Sequence, residues 1–499
     1  MKINVVIQSI TDFAGDALIV NLFQGVKSPG GATGAVDRAL GGMITKLIAD
    51  HEIKGKLGEV TVFHDCKKLR ARKVIIVGLG KQKALSLDNI RKAAAAAAKK
   101  AQEIRAKKVG TVVHGAGIGG MDPRLAAQAI VEGTCLALYR FTEYKKPEDY
   151  HQIGTLSLVE HDKRKSKKLS DGARLAKILA DSQNIARDLI NEPANNLTPA
   201  KLLKHVQRIL KSSGLTKAVQ CQCLDKKMLQ KLGMGALLSV AQGSINEPKF
   251  IVLRVKKAQK PLVCLIGKTV TFDSGGISLK PSSGMGSMKG DMGGGAVAIG
   301  TTIALARANS KINLMTLIPA VENMPSGSAY RPGDVVKAMN GKTVEIISTD
   351  AEGRLTLADA IAYAEKKGAQ VIIDIATLTG GCVVALGTQI AGLMGNKQKL
   401  VNKLIKVTEH TGEQFWQLPL YDGYNKLIDS DVADVKNSGG RAASAITAGL
   451  FLQHFVDKAK WLHIDVAGNE LTDKQSFYTP VGGTGFGVRT LFEFLHNIE

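Results

Sequence analysis

What most constrains this chain is the alternation of short apolar runs with helix-forming stretches along nearly its whole length. KVIIVGLGK (73–81) has the continuous apolar character of a buried strand. LDNIRKAAAAAAKKAQEIRAKK (87–108) is helical by its Ala, Lys and Arg content, and VGTVVHG (109–115) resumes a strand. That is a βαβ unit. From about residue 190 the composition shifts to glycine-rich loops between further strand candidates at 262–269, 312–320, 343–349, 371–377 and 461–468. Helices are expected over 171–190, 294–309, 355–368 and 443–459. Strands alternating with helices imply a largely parallel sheet covered on both faces. The expected fold class is therefore α/β with two domains. A small N-terminal α/β domain (1–165) leads through a linker and connecting helix (166–190) to a larger C-terminal α/β domain (191–499) with a mostly parallel mixed sheet flanked by helices. Ligands of such sheets bind beyond the carboxyl ends of strands, so the residues just after 268, 349 and 377 are the first place to look.

Composition narrows the class. With 499 residues, 44% of them apolar and 22% charged, the chain can bury large cores, which excludes a disordered protein or a disulfide-stapled scaffold. The six cysteines show no CxxC and no regular spacing, as expected of reduced thiols in a cytoplasmic protein. MKINVVIQSITDFAG has no uninterrupted apolar stretch of the signal-peptide kind. The longest apolar runs elsewhere reach about ten residues, short of a span, so no membrane partner is expected. Charge is uneven: residues 1–300 carry 48 Lys+Arg against 24 Asp+Glu, whereas residues 301–499 carry 19 against 20. A field of that sign attracts polyanions, which keeps a nucleic-acid partner open beside a merely basic surface. Aromatics are only 5% and none interleaves with a basic stretch, so stacking on bases has no support. The basic run HDKRKSKKLS (161–170) reads as a linker feeding the helix that follows.

The chemistry concentrates in two stretches. GKTVTFDSGGISLKPSSGMGSMKGDMGGG (267–295) sets Lys268, Asp273, Lys280, Lys289 and Asp291 among glycines and serines, with no apolar periodicity to make them the wet face of a helix. STDAEGRL (348–355) places Asp350, Glu352 and Arg354 two residues apart, so a continuing strand would point all three the same way. Neighbouring carboxylates repel unless a cation lies between them. Four such groups near strand ends could hold two divalent ions; the spacing by itself equally allows separate surface acids in polar loops. Other chemistries fall away. Gly267-Lys268-Thr269 resembles the end of a phosphate loop, but Leu262 stands where the leading glycine belongs. Gly78-Leu79-Gly80 lacks the third glycine of a dinucleotide fingerprint and reads as a tight strand-end turn. HExxH, HxxEH and GxSxG are absent. Two-metal phosphoester hydrolysis would suit the carboxylates, but no phosphate-cradling motif accompanies them.

Together GKTVTFDSGG…LKP…MKGDMGGG and STDAEGRLTLADA strongly resemble the leucyl (cytosol) aminopeptidase family, of the bacterial aminopeptidase A type. The resemblance extends through RDLINEPANNLTP (187–199), YRPGDVV (330–336), ATLTGGCVVALG (376–387) and SDVADVKNSGGRAASAITAGLFLQHF (430–455). It implies that 191–499 is a catalytic metallopeptidase domain. It also implies a pair of divalent ions per subunit, Mn²⁺ or Zn²⁺, held by Lys268, Asp273, Asp291, Asp350 and Glu352. Asp273 and Glu352 would bridge the two ions; Lys268 would have to bind as the unprotonated amine. Lys280 resembles the group that polarises the scissile carbonyl, and Arg354 the one that holds a bicarbonate acting as general base. Met288, Thr377 and Gly380 match the pocket for the departing side chain and Leu378 a backbone contact to substrate. The implied activity releases N-terminal residues, Leu and other apolar ones preferred, from peptides in the cytoplasm, and the implied assembly is a homohexamer. Thr269, Gly286, Ser287, Gly290 and Ser348 depart from the family's usual residues, which bears on specificity and metal affinity.

Overall fold

A computed structural model describes residues 1–145, 151–256, 258, 259 and 261–498. The chain forms two compact units, Met1–Asp181 with Lys474–Pro480, and Ser182–Asp473 with Val481–Glu499.

The first unit is built on six strands: β1 (Lys2–Ile7), β2 (Gly15–Phe23), β3 (Val60–Phe63), β4 (Ala71–Gly80), β5 (Lys108–Val112) and β6 (Thr155–Glu160). Their order is β1-β6-β5-β2-β4-β3, and only the β3–β4 pair is antiparallel. Val74 to Gly80 of β4 are buried throughout, which is why that segment shows no polar alternation. Gly78 is there because space is lacking: a Cβ on it would lie 1.9 Å from the Lys56 carbonyl oxygen. Gly80 takes the left-handed turn that ends the strand (φ +75°). The helix Leu87–Glu103, capped by the Ser86 hydroxyl on Asn89 N, lays Ala93, Ala94, Ala97 and Ala101 into the same core as Ala126, Ala127 and Ile130 of the helix Pro123–Ala137. It stops five residues before its expected end, and Arg105 just beyond adopts φ 59°.

The second unit contributes β7 (Gln220–Leu224), β8 (Lys249–Lys256), β9 (Val263–Gly267), β10 (Thr269–Asp273), β11 (Asn313–Asn323), β12 (Val335–Lys337), β13 (Thr343–Glu345), β14 (Val371–Ala376), β15 (Ile390–Gly395), β16 (Gln414–Gln417), β17 (Val435–Lys436) and β18 (Lys460–Asp465). Nine of these form a mixed sheet ordered β16-β15-β18-β14-β9-β11-β8-β7, with β10 paired to β11. Its centre, β18-β14-β9-β11, is parallel, as the alternating pattern predicts. The helix Gly293–Arg307 is buried at every residue from Gly293 to Ala306, so it has no polar face to show. Strands β12, β13 and β17 make a small separate sheet.

Three further local expectations differ from what forms. The strand anticipated over 343–349 ends at Glu345, and residues 346–352 turn instead into a helix, Gly353–Lys366. The cause lies far along the chain: the Asn437 amide accepts from Ile347 N (2.8 Å) and Ser348 N (3.3 Å) and donates to Ser348 O (2.7 Å), replacing strand partners. The basic run 161–170 is mostly ordered, since the helix Ser166–Asn191 already includes its last five residues and Leu169 is fully buried. The helix expected over 443–459 is confined to Ser444–Gln453. Among the described residues no helix is long and apolar enough to cross a membrane.

Candidate functional site

The parallel centre of the larger sheet delivers its side chains to one end. Lys268 follows β9, and its backbone N donates to Ile375 O of β14 (3.0 Å). Asp273 closes β10, Asn323 closes β11, Thr377 follows β14 and Asp465 closes β18. Asp291 arrives from the 3-10 turn Met285–Gly290, and Asp350 and Glu352 from the turn before the helix Gly353–Lys366.

Charges of opposite sign interlock here. The buried Lys268 Nζ donates to Asp291 Oδ1 (2.8 Å) and to Thr377 O (2.7 Å), and sits 2.8 Å from Glu352 Oε1. Lys280 Nζ lies 2.8 Å from Asp273 Oδ2 and also donates to Asp350 Oδ1. Asp273 Oδ1 accepts from Gly275 N (2.9 Å) and Asn323 Nδ2 (2.8 Å), and Asp291 Oδ1 from Thr377 Oγ1 (2.7 Å). Lys268 reaches its partners only because residue 353 is glycine, since a Cβ there would stand 2.2 Å from Lys268 Cε.

Burial and neighbours set the proton affinities. Desolvation raises the Asp291 carboxyl well above its ordinary value, raises Asp273 with help from the adjacent Glu352 charge, and raises Asp350. For both lysines desolvation opposes the charge but the surrounding carboxylates outweigh it, so each is held as an ammonium. Asp291 Oδ2 and Glu352 Oε1 are buried without a hydrogen-bond partner, the latter because its contact with Lys268 is off the bonding direction. Asp273, Asp350 and Glu352 can each turn one oxygen to a common point, all within 4.8 Å of one another. Anionic oxygens lacking donors, and carboxylates kept apart only by cations, are a donor set suited to hard divalent ions.

The remaining candidates stand around this cluster. Arg354, in the first turn of its helix, is buried rather than aligned with Asp350 on a strand; its Nη1 donates to Asn437 O (2.7 Å) and its Nε has no partner. Burial lowers its pKa to about 10, against the opposing pull of Glu352 and Asp465. Thr377 is the pocket candidate whose side chain bonds into the cluster, through Oγ1 to Asp291 Oδ1. Leu378 N donates to Asp465 Oδ1 (3.2 Å), Gly380 opens the helix Gly380–Leu386 at an exposed position, and the half-buried Met288 carbonyl accepts from Asp291 N (3.2 Å). Of the departures, Thr269 is buried with its hydroxyl on Gly267 O (2.7 Å), and Ser348 Oγ accepts from Asp350 N (3.2 Å). Gly290 packs against Leu471, Ser287 bonds Gly284 O, and Gly286 has open space around it. Residue-by-residue reading passed over Asn323, Thr349, Tyr330 and Asn437. Asn323 Nδ2 and Tyr330 Oη both donate to Thr349 O (3.0 and 2.9 Å), fixing the turn that carries Asp350. Tyr330, Thr349 and Asn437 lie inside the stretches that carry the family resemblance, whereas Asn323 lies three residues past the strand expected over 312–320.

Known proteins share this architecture. The catalytic-domain model of the cytosol aminopeptidase family matches residues 184–492, and the family's N-terminal-domain model matches 19–148. Relatives named probable cytosol aminopeptidase from Alkaliphilus metalliredigens (strain QYMF) and Alkaliphilus oremlandii (strain OhILAs) are 40% and 41% identical, with 100% of both chains covered in each case. A mutant tomato leucine aminopeptidase superposes with a TM-score of 0.89 at 31% identity, covering 100% of this chain and 97% of its own. The bottromycin maturation enzyme BotP in complex with Mn superposes at 0.85 and 32% identity, covering 97% and 99%. With both family domains matched and full-length relatives at this identity, the chain belongs to the cytosol aminopeptidase family and is a peptidase hydrolase.

Proposed function

We propose that the cluster is the two-cation centre of an aminopeptidase that releases N-terminal Leu and similar apolar residues from peptides. The observation that carries this is the convergence of Asp273, Asp291, Asp350 and Glu352 around two lysines at one sheet end, with buried carboxylate oxygens left without donors. Asp273, Asp291, Asp350 and Glu352, with Lys268 once it gives up its proton, would hold two divalent ions. The BotP structure is a complex with Mn, which makes Mn²⁺ the first ion to try, with Zn²⁺ beside it. Bound there, the pair supplies Lewis acidity to the peptide carbonyl and lowers the pKa of a water.

The chain's own residues do the rest. Lys280 is less buried than Lys268 and keeps its proton under the pull of Asp273 and Glu352, so it can stabilise the oxyanion that develops on the substrate carbonyl. Arg354, anchored through Nη1 to Asn437 O, has a buried Nε still to satisfy, which suits a planar anion such as bicarbonate serving as general base. Thr377 steadies Asp291. Leu378 has its N–H taken by Asp465, so its carbonyl is the group available to a peptide. Met288 and Gly380 complete the side-chain pocket. A cytoplasmic homohexamer accompanies this reading.

The test is hydrolysis of a Leu-peptide against its N-acetylated form, with and without chelator. The expected result is turnover of the free peptide only, lost on chelation and restored by Mn²⁺ or Zn²⁺; indifference to chelator overturns the metal assignment. A second reading rests on the basic excess of residues 1–300, which would draw nucleic acid to the N-terminal half. Gel retardation that fades with salt supports it, and no retardation at low salt removes it.

A further inference from the structure

We infer that the first unit holds a second ligand site, a cavity built for a free nucleoside diphosphate, independent of the peptidase centre. Chain path puts it there. From β2 the chain moves to β4 on one side of the sheet, then crosses back to β5 and on to β6 on the other, so β2 and β5 flank a topological switch point. Loops leaving adjacent carboxyl ends in opposite directions open a crevice, the usual ligand position in a parallel sheet. A cavity of about 550 Å³ lies there, lined by Leu22 and Phe23 at the end of β2 and by Val112 and Val113 at the end of β5. That is inside the range of roughly 300–1,000 Å³ that holds an organic ligand, and inorganic phosphate would leave most of it void.

The lining sorts into three kinds of surface. Phe23, Val26, Val113 and Val159 give an apolar slot suited to a flat base. Two glycine-rich loops close it: Gly30 and Gly31 open the helix Gly31–Ala39, and Gly115, Gly117 and Gly119 lie after β5. Gly30 has no side chain with which to cap that helix, so the amides of its first turn remain to receive a phosphate. Asn21 is the polar fixture. Its Nδ2 donates to Nδ1 of the buried His114 (3.0 Å), whose other nitrogen meets Thr111 Oγ1 (3.3 Å). Burial lowers the His114 pKa to about 4, so the ring is neutral and its Nδ1 can accept. With one amide N–H held by His114, Asn21 offers a ligand its oxygen, an acceptor for a sugar hydroxyl or a base N–H. At the rim Glu160 is already paired with Lys165 (3.2 Å) and His161 (3.0 Å). Residues 1–181 carry 31 Lys+Arg against 18 Asp+Glu, a field favourable to a phosphorylated ligand.

Isothermal titration of the full chain with ADP, adenosine and inorganic phosphate tests this. ADP should bind at least about tenfold tighter than either fragment. Ala32→Trp, which fills the mouth from an exposed position, and Ile118→Asp, which sets a charge next to Gly30 at the phosphate end from an exposed side chain, should each weaken ADP by at least about tenfold with an unchanged circular dichroism spectrum. The site is overturned if ADP gives no heat at millimolar concentration, if both folded variants bind ADP as the parent does, or if phosphate alone binds as tightly as ADP.

Discussion

Both units end a parallel sheet in loops, yet they treat the carboxyl edge in opposite ways. In the larger unit that edge is crowded: Lys268 lies between Asp291 and Glu352, and Lys280 between Asp273 and Asp350. In the smaller unit the same edge is a void walled by valines and glycines. Topology fixes where a ligand can sit; loop composition fixes what it can be. The smaller unit also has a buried ion pair, Arg91 Nε to Glu132 Oε2 at 2.6 Å, with Gln128 Nε2 on the other carboxylate oxygen. It joins two helices and engages both carboxylate oxygens of Glu132, although Arg91 Nη1 is buried without a partner, so here the charge serves packing. Charge at a strand end with oxygens left over is a different case.

The largest expected effect breaks that contrast if it fails. Glu352→Ala takes one of the three converging carboxylates and leaves Lys268 with a single anionic partner. Turnover of leucine p-nitroanilide should fall by at least about a thousandfold, and metal content measured by atomic emission should fall with it. Full activity in this variant would count decisively against the site. Glu132→Ala makes the matching change in the other unit. It strands the Arg91 charge in the core, at a cost of about 3–5 kcal/mol, read as a lower denaturation midpoint. Turnover per folded molecule should stay as it was, and a loss there would mean the two kinds of buried charge are not separable.

How much of this was legible in the sequence follows the range of the forces involved. Burial is a local signal, so Val74–Gly80 of β4 and the helix Gly293–Arg307 stand out as largely apolar segments. The order and types of the charged residues between 268 and 354 likewise carry the family resemblance. The path of residues 346–352 is not local. It is set by the amide of Asn437, about ninety residues on, and by Thr349, whose hydroxyl donates to Gly275 O and accepts from Ser278 N. No periodicity reports such contacts, so the local pattern alone favours a strand that sets Arg354 on one face with the carboxylates. The N-terminal cavity was also invisible. Its glycines are scattered over two loops that meet only because β2 and β5 are neighbours, and the one glycine pair that resembled a fingerprint, Gly78 and Gly80, serves backbone packing and a turn.

Arg354→Ala gives the smallest of the expected losses and the sharpest distinction within the larger unit. The guanidinium bonds Asn437 O and makes no ion pair with the carboxylates among the described residues, so removing it leaves Asp273, Asp291, Asp350 and Glu352 with their partners. Metal stoichiometry should therefore be unchanged. Catalysis should still slow, by about a hundredfold in kcat, the low end of the range associated with losing a positioned acid–base partner. Added bicarbonate should stimulate the parent enzyme and have little effect on the variant. Loss of bound metal instead would make Arg354 a strut of the cluster, and the turn at 346–352 would then owe its shape to this arginine as well as to Asn437.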